Sequence, residues 1–163
     1  KPEQAPTRYA QWMDEMKALR QGEKSLRTYP SASAVAQRLM KTNPRLSPDK
    51  ANWLAQHWAA ANAQGEWTIL GEAAHKITNS NLYQLPEVLE IYKKISMPVL
   101  AVEASDNSLD MWWKGKFKLV EYHERLQYVT QVEIARIDDA GHMMHHDQPM
   151  ELARHIEAFL NQP

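Results

Sequence analysis

Apolar positions follow two different patterns along this chain. In the first half they recur at helical spacing between polar residues. In the second, helical stretches alternate with short continuous apolar runs. Tyr9, Trp12, Met13, Met16 and Leu19 stand at i, i+3, i+4, i+7 and i+10, which predicts a helix from Thr7 that Gly22 ends. Residues 1–6, with two prolines and no periodicity, read as a loop or linker. Ser31 or Ser33 caps a short second helix carrying Val35, Leu39 and Met40, and Asn43-Pro44 breaks it. Ser47-Pro48-Asp49-Lys50 sets a capping serine before a proline at the first helical position, a strong start signal. The third helix places Leu54, Trp58 and Ala61 on one face. Gly65 punctuates again, and residues 66–70 read as a short strand or an extended segment.

After about residue 85 the character changes. Pro86 opens a helix with Val88, Ile91 and Ile95. Pro98-Val-Leu-Ala-Val102 is a continuous apolar run of the kind that suits a parallel strand covered on both faces. Residues 116–128 read as a helix, with Leu119, Tyr122, Leu126 and Val129 aligned. Val132, Ile134 and Ile137 mark another strand. Residues 149–160 form a closing helix, with Leu152, Ile156, Phe159 and Leu160 at helical spacing. The order helix, strand, helix, strand, helix implies right-handed crossovers and neighbouring parallel strands. Two parallel strands do not make a stable sheet by themselves. The expectation is an α/β protein of two parts, a mainly helical region over 1–85 and a partial parallel-sheet core over 86–163, with further strands of the sheet lying outside this sequence.

Composition removes several classes of function. Nineteen basic residues against twenty acidic ones leave no electrostatic footprint for nucleic acid. The absence of cysteine rules out a disulfide framework, a thiolate nucleophile and a cysteine metal site. No apolar run approaches the roughly 20 residues a membrane-crossing helix needs. Nothing resembles a signal peptide, so a soluble cytoplasmic protein is expected. The chain begins Lys-Pro-Glu-Gln rather than with Met, so a natural start elsewhere is an expectation.

The chemistry concentrates in Ile137-Asp-Asp-Ala-Gly-His-Met-Met-His-His-Asp-Gln-Pro149. It reads as a strand end, a tight turn through Ala140-Gly141, an exposed His142 and the start of the last helix. A histidine on the loop after a buried strand serves as a general base if a carboxylate orients it and a nucleophile faces it. His142, His145, His146 and Asp147 also have spacings that could converge on zinc. Asp147 before Pro149 is more simply a helix cap, and His146 a solvated neighbour, so no metal is expected. Asp138 and Asp139 read as surface or turn residues, and residues 114–118, Lys-Gly-Lys-Phe-Lys, as a solvated helix start.

Residues 95–106, Ile-Ser-Met-Pro-Val-Leu-Ala-Val-Glu-Ala-Ser-Asp, resemble the penultimate core strand and acid-bearing loop of α/β-hydrolases. Residues 138–149 resemble the loop bearing their catalytic histidine, and Leu152-Ala-Arg-His-Ile156 with Phe159-Leu160 their last helix. The helical region 7–85 stands where capped members of that superfamily carry a lid. The resemblance implies that His142 is the general base and that Asp106 holds its tautomer and stabilises the imidazolium. It implies hydrolysis of an ester or related bond by a nucleophile–histidine–acid triad, without metal or organic cofactor. Trp112 and Trp113 would line a pocket for a small apolar substrate.

Two departures stand beside it. The acid lacks the usual glycine three residues earlier, since the segment reads Glu103-Ala104-Ser105-Asp106; Glu103 and Asp110 are the reserves. There is also no Gly-x-Ser-x-Gly elbow and no aspartate-centred equivalent. A serine esterase is therefore not separated from an aspartate-dependent dehalogenase or epoxide hydrolase. The expected partner is the missing nucleophile-bearing half of the core or a second copy of this chain, and the chain alone is expected to be inactive. The competing expectation is a non-catalytic partner-binding or remnant domain.

Overall fold

The structure, a computed structural model, describes residues 2–162 apart from the side chain of Asp110, so that reserve acid lies outside the described residues. The chain divides into two compact units, Lys1–Tyr83 and Gln84–Pro163.

In the first unit, helix α1 spans Ala5–Arg20. It begins before Thr7, behind a single 3-10 turn at Pro2–Gln4, because a proline in the first turn gives up an N–H that no helix bond needs. Its end is fixed as the sequence predicts. Gly22 adopts φ +74°, while Gly22 N–H donates to Leu19 O at 3.1 Å and Glu23 N–H to Ala18 O at 2.9 Å, the two bonds of a left-handed helix cap. The apolar stripe of α1 is not a core stripe: none of its residues is buried. Glu15 anchors the helix instead, its carboxylate accepting the Thr78 N–H at 2.6 Å.

Helices α2 (Ala32–Thr42) and α3 (Pro48–Trp58) start on Ser31 and Ser47, whose hydroxyls accept the Ala34 and Lys50 N–H groups. Val35, Ala36, Ala51, Leu54 and Ala55 bury between them. The face of α3 differs from the sequence expectation. Ala51, Leu54 and Ala55 point inward, Trp58 is partly exposed and Ala61 lies beyond the helix. Residues 1–85 also hold more strand than their pattern announces. Strands β1 (Thr28–Tyr29), β2 (Ala59–Ala61) and β3 (Trp67–Ile69) form an antiparallel sheet in the order β1-β3-β2. Tyr29, Trp67 and Ile69 of this sheet pack on the α2–α3 core.

The second unit opens with α4 (Leu85–Tyr92), which stops short of Ile95. Strand β4 (Val99–Ala104) pairs in parallel with β5 (Val132–Ile137), from Val99 opposite Val132 to Ala104 opposite Ile137. Ala101 and Ala104 are buried and lie on opposite faces of β4, whereas β5 buries Ala135 and Ile137 and exposes Ile134 and Arg136. The helix predicted over 116–128 is present in shorter form as α6 (Leu119–Leu126), and a further short helix the pattern did not announce, α5 (Leu109–Trp113), precedes it. They are separated by Lys114 and Gly115, both at positive φ. A single turn, α7 (Met144–Asp147), leads into α8 (Pro149–Leu160). Ala104, Ile137 and Ala140 form a small core with Val102, Met144 and Leu152 around it. That core sits under the C-terminal ends of both strands.

Candidate active site

Parallel strands deliver their following loops to the same edge of a sheet, which is why open α/β sheets place chemistry there. Here the two loops are joined at the backbone. The strand ladder runs on past Ala104, with Ser105 N–H donating to Ile137 O at 2.9 Å, and then crosses between the loops, where Asp106 N–H donates to Ala140 O at 3.0 Å. The Ser105 hydroxyl lies 3.4 Å from both the N and the O of Ala140. Asp106 is half-buried, and one of its carboxylate oxygens accepts the Ser108 N–H at 3.1 Å. That bond turns the chain into α5, with Ser108 at φ +54°.

The histidine turn is shaped as much by what surrounds it as by its own sequence. Its left-handed residue is Asp139, at φ +50°. Ala140 is fully enclosed and Gly141 is buried, yet His142 is exposed. The imidazole therefore stands in solvent on a turn whose base is packed. The expected roles of two neighbours change. His146 is buried rather than solvated. Asp147 does not stand at the N-cap position of α8, which Gln148 holds. It is also buried, and its carboxylate accepts the Gly141 N–H at 2.8 Å. Gln148 adds a bond from its amide to Asp139 O at 3.3 Å. Among the described residues no three His, Asp or Glu side chains are arranged to hold a metal ion.

Glu103, a reserve for the acid, is engaged elsewhere. Its carboxylate meets His123 Nε2 of α6 at 2.7 Å, tying that helix to β4. The neighbouring Tyr122 hydroxyl is pushed to higher pKa, first by burial and then by electrostatic repulsion of its ionised form from Tyr92 and Glu103. Trp112 and Trp113 lie on α5, 66% and 49% exposed, with Trp113 edge-on to Phe117 at 5.0 Å between ring centres. Sequence reasoning missed Ser105 and Asp147 as parts of the site. The only signal for them was position, a hydroxyl just before the acid and a carboxylate five residues after the histidine.

No protein-family model matches the sequence, and no curated protein matches it. Solved structures do. A hypothetical protein from Pseudomonas aeruginosa is 19% identical, the match covering 99% of this chain and 54% of that one at a TM-score of 0.77. The thioesterase domain of the curacin biosynthetic pathway is 22% identical over 97% of this chain and 52% of its own, also at a TM-score of 0.77. An esterase from Mycobacterium tuberculosis is 17% identical over 99% and 49%, at a TM-score of 0.68. The chain spans about half the length of the solved structures it matches. Its fold is that of a partial α/β-hydrolase, the last two parallel strands of the core with their flanking helices, preceded by a mainly helical region.

Proposed function

We propose that this chain is the histidine- and acid-bearing part of a hydrolase that cleaves an ester or related bond. His142 takes the proton from a nucleophile or a water. Asp106 holds the imidazole in the tautomer that accepts it and stabilises the imidazolium that forms. The nucleophile, serine or aspartate, comes from a half of the core that this sequence does not contain, and the helical unit is the lid of the whole enzyme. Trp112 and Trp113 give the pocket its apolar lining. The observation that carries the reading is the bond from Asp106 N–H to Ala140 O. It couples the acid loop to a residue two positions before an exposed histidine, at the carboxyl ends of adjacent parallel strands.

The test is nitrophenyl-ester hydrolysis by the enzyme in which this chain is accompanied by its nucleophile-bearing half. His142→Ala abolishes turnover, and Asp106→Asn lowers kcat by about 10⁴, as removal of an orienting carboxylate does in other triads. Turnover by His142→Ala at the unsubstituted rate sinks the proposal. A second reading, a non-catalytic partner-binding module, draws on the exposed Ile134, Met150 and Leu160 of the second unit. It takes over if the accompanying half carries no nucleophile.

A further inference from the structure

The second unit contains a carboxylate that the triad does not use. Asp147 is 8% exposed, a costly position for an ionisable side chain. Its Oδ2 accepts the N–H of Gly141 at 2.8 Å, in a bond that is itself buried. Gly141 is the residue immediately before His142. A bond from a backbone N–H to a carboxylate is of the charge-assisted class, shorter and stronger than a neutral one. It fixes the Ala140–Gly141 peptide plane, one residue before the histidine. The same turn is held on its other side by the Ser105 hydroxyl at Ala140 and by the Gln148 amide at Asp139 O. Those contacts, at 3.4 and 3.3 Å, are longer and carry less.

We infer that Asp147 is a positioning residue for His142. Its buried carboxylate fixes the Ala140–Gly141 peptide, and through the turn that peptide belongs to, the direction in which the exposed imidazole leaves it. The N-cap position of the last helix is held by Gln148 rather than by Asp147. Nor does the Asp147 side chain reach outward to solvent. His142 is exposed, so little packing orients its ring from outside, and its aim has to come from the backbone beneath it. This inference rests on the catalytic reading of His142.

The test has two parts, so that failure of one reading is told from failure of the other. In the 163-residue chain, amide exchange at Gly141 and the imidazole ¹⁵N shifts of His142 are followed by NMR in Asp147→Ala and Asp147→Asn. Loss of the acceptor removes protection at Gly141 by about tenfold or more, the scale of one hydrogen bond to a charged group. It also moves the His142 imidazole signals, while the β4 and β5 amides stay as they were. Asparagine keeps an oxygen at the same place and restores both. If Asp147→Ala does not fold, Asp147→Glu, which displaces the carboxylate by one methylene, takes its place and shows the same two changes. Unchanged Gly141 protection overturns the inference. So do unmoved His142 signals in a variant that has lost that protection, since Asp147 would then only brace the turn. Activity of His142→Ala in the complete enzyme decides the catalytic reading separately. An inactive His142→Ala together with an Asp147→Ala of unchanged kcat rejects the positioning role alone.

Discussion

At the scale of single residues, the site is held by groups whose partners are backbone atoms. Ile137 is fully enclosed, it ends β5, and its carbonyl receives the Ser105 N–H at 2.9 Å. Ile137→Ala therefore removes packing from beneath both loops at once. It should cost about 2–5 kcal/mol, the usual range for truncating an enclosed aliphatic side chain, read as a shift in the midpoint of urea unfolding. Glu15 gives a prediction in pH. The Thr78 N–H, then the Gln11 amide and Lys24, pull its carboxyl down to about 2. A depressed folded-state pKa contributes stability that is present above the unfolded value near 4.5 and lost as pH falls toward 2. Acid titration of the docking of α1, followed by tryptophan fluorescence, should weaken across that window, and Glu15→Gln should flatten the response. The exposure of His142 beside an enclosed Ala140 was legible, because a small residue and a glycine after an apolar strand leave one place for a polar ring. The work of Asp147 was not, because a side chain that bonds a backbone N–H six residues earlier follows neither helical nor strand period. Glu103 shows the same limit. Its partner His123 lies twenty residues away, on an element whose own start was misread.

Among the elements, the helices were legible where the chain states both ends. Ser31, Ser47 and Pro48 begin α2 and α3 as the capping rules require, and Gly22 ends α1. The two serine caps are not equal. Ser31 accepts its N–H at 3.1 Å and Ser47 at 3.4 Å. Each Ser→Ala change should cost on the order of 1 kcal/mol, with Ser31→Ala the more damaging, as thermal unfolding by circular dichroism would show. Equal losses, or the reverse order, would mean that the hydroxyl bond is not what starts these helices. The short strands were illegible for a physical reason. Ala59, Ala60 and Ala61 have no β-branched or aromatic character, so nothing in their side chains asks for a sheet. They are placed by the Asn62 turn, whose side chain accepts the Gln64 and Glu66 N–H groups at 3.0 and 2.9 Å, and by pairing with Trp67–Ile69. Residues 114–118, read as a helix start, instead lie between α5 and α6, because Lys114 takes a left-handed conformation that only its glycine neighbour announces.

For the molecule as a whole, the decisive feature is a parallel sheet of two strands. Sheets of this kind are stable when they are wider and covered on both faces, and the count of strands readable in the sequence already pointed to partners beyond it. The second unit carries the consequence on its surface. Ile134 is 44% exposed, Met97 60%, Met150 81% and Leu160 72%. A groove runs along the start of the strands between Pro98, Val99, Val132 and Phe159. Unpaired strand edges and apolar patches of this type drive association. The 163-residue chain should therefore self-associate with rising concentration in sedimentation velocity. Ile134→Lys should weaken that association, since it places a charge on an exposed position of β5 without opening the core. A chain that sediments as an 18.8 kDa monomer at every concentration would show that these two strands are sufficient in themselves. The case for a complementary half, and with it the need for a nucleophile from outside this sequence, would then lose its physical ground. Association that Ile134→Lys leaves untouched would put the contact on another face, and the sheet edge would not be where this chain meets its partner.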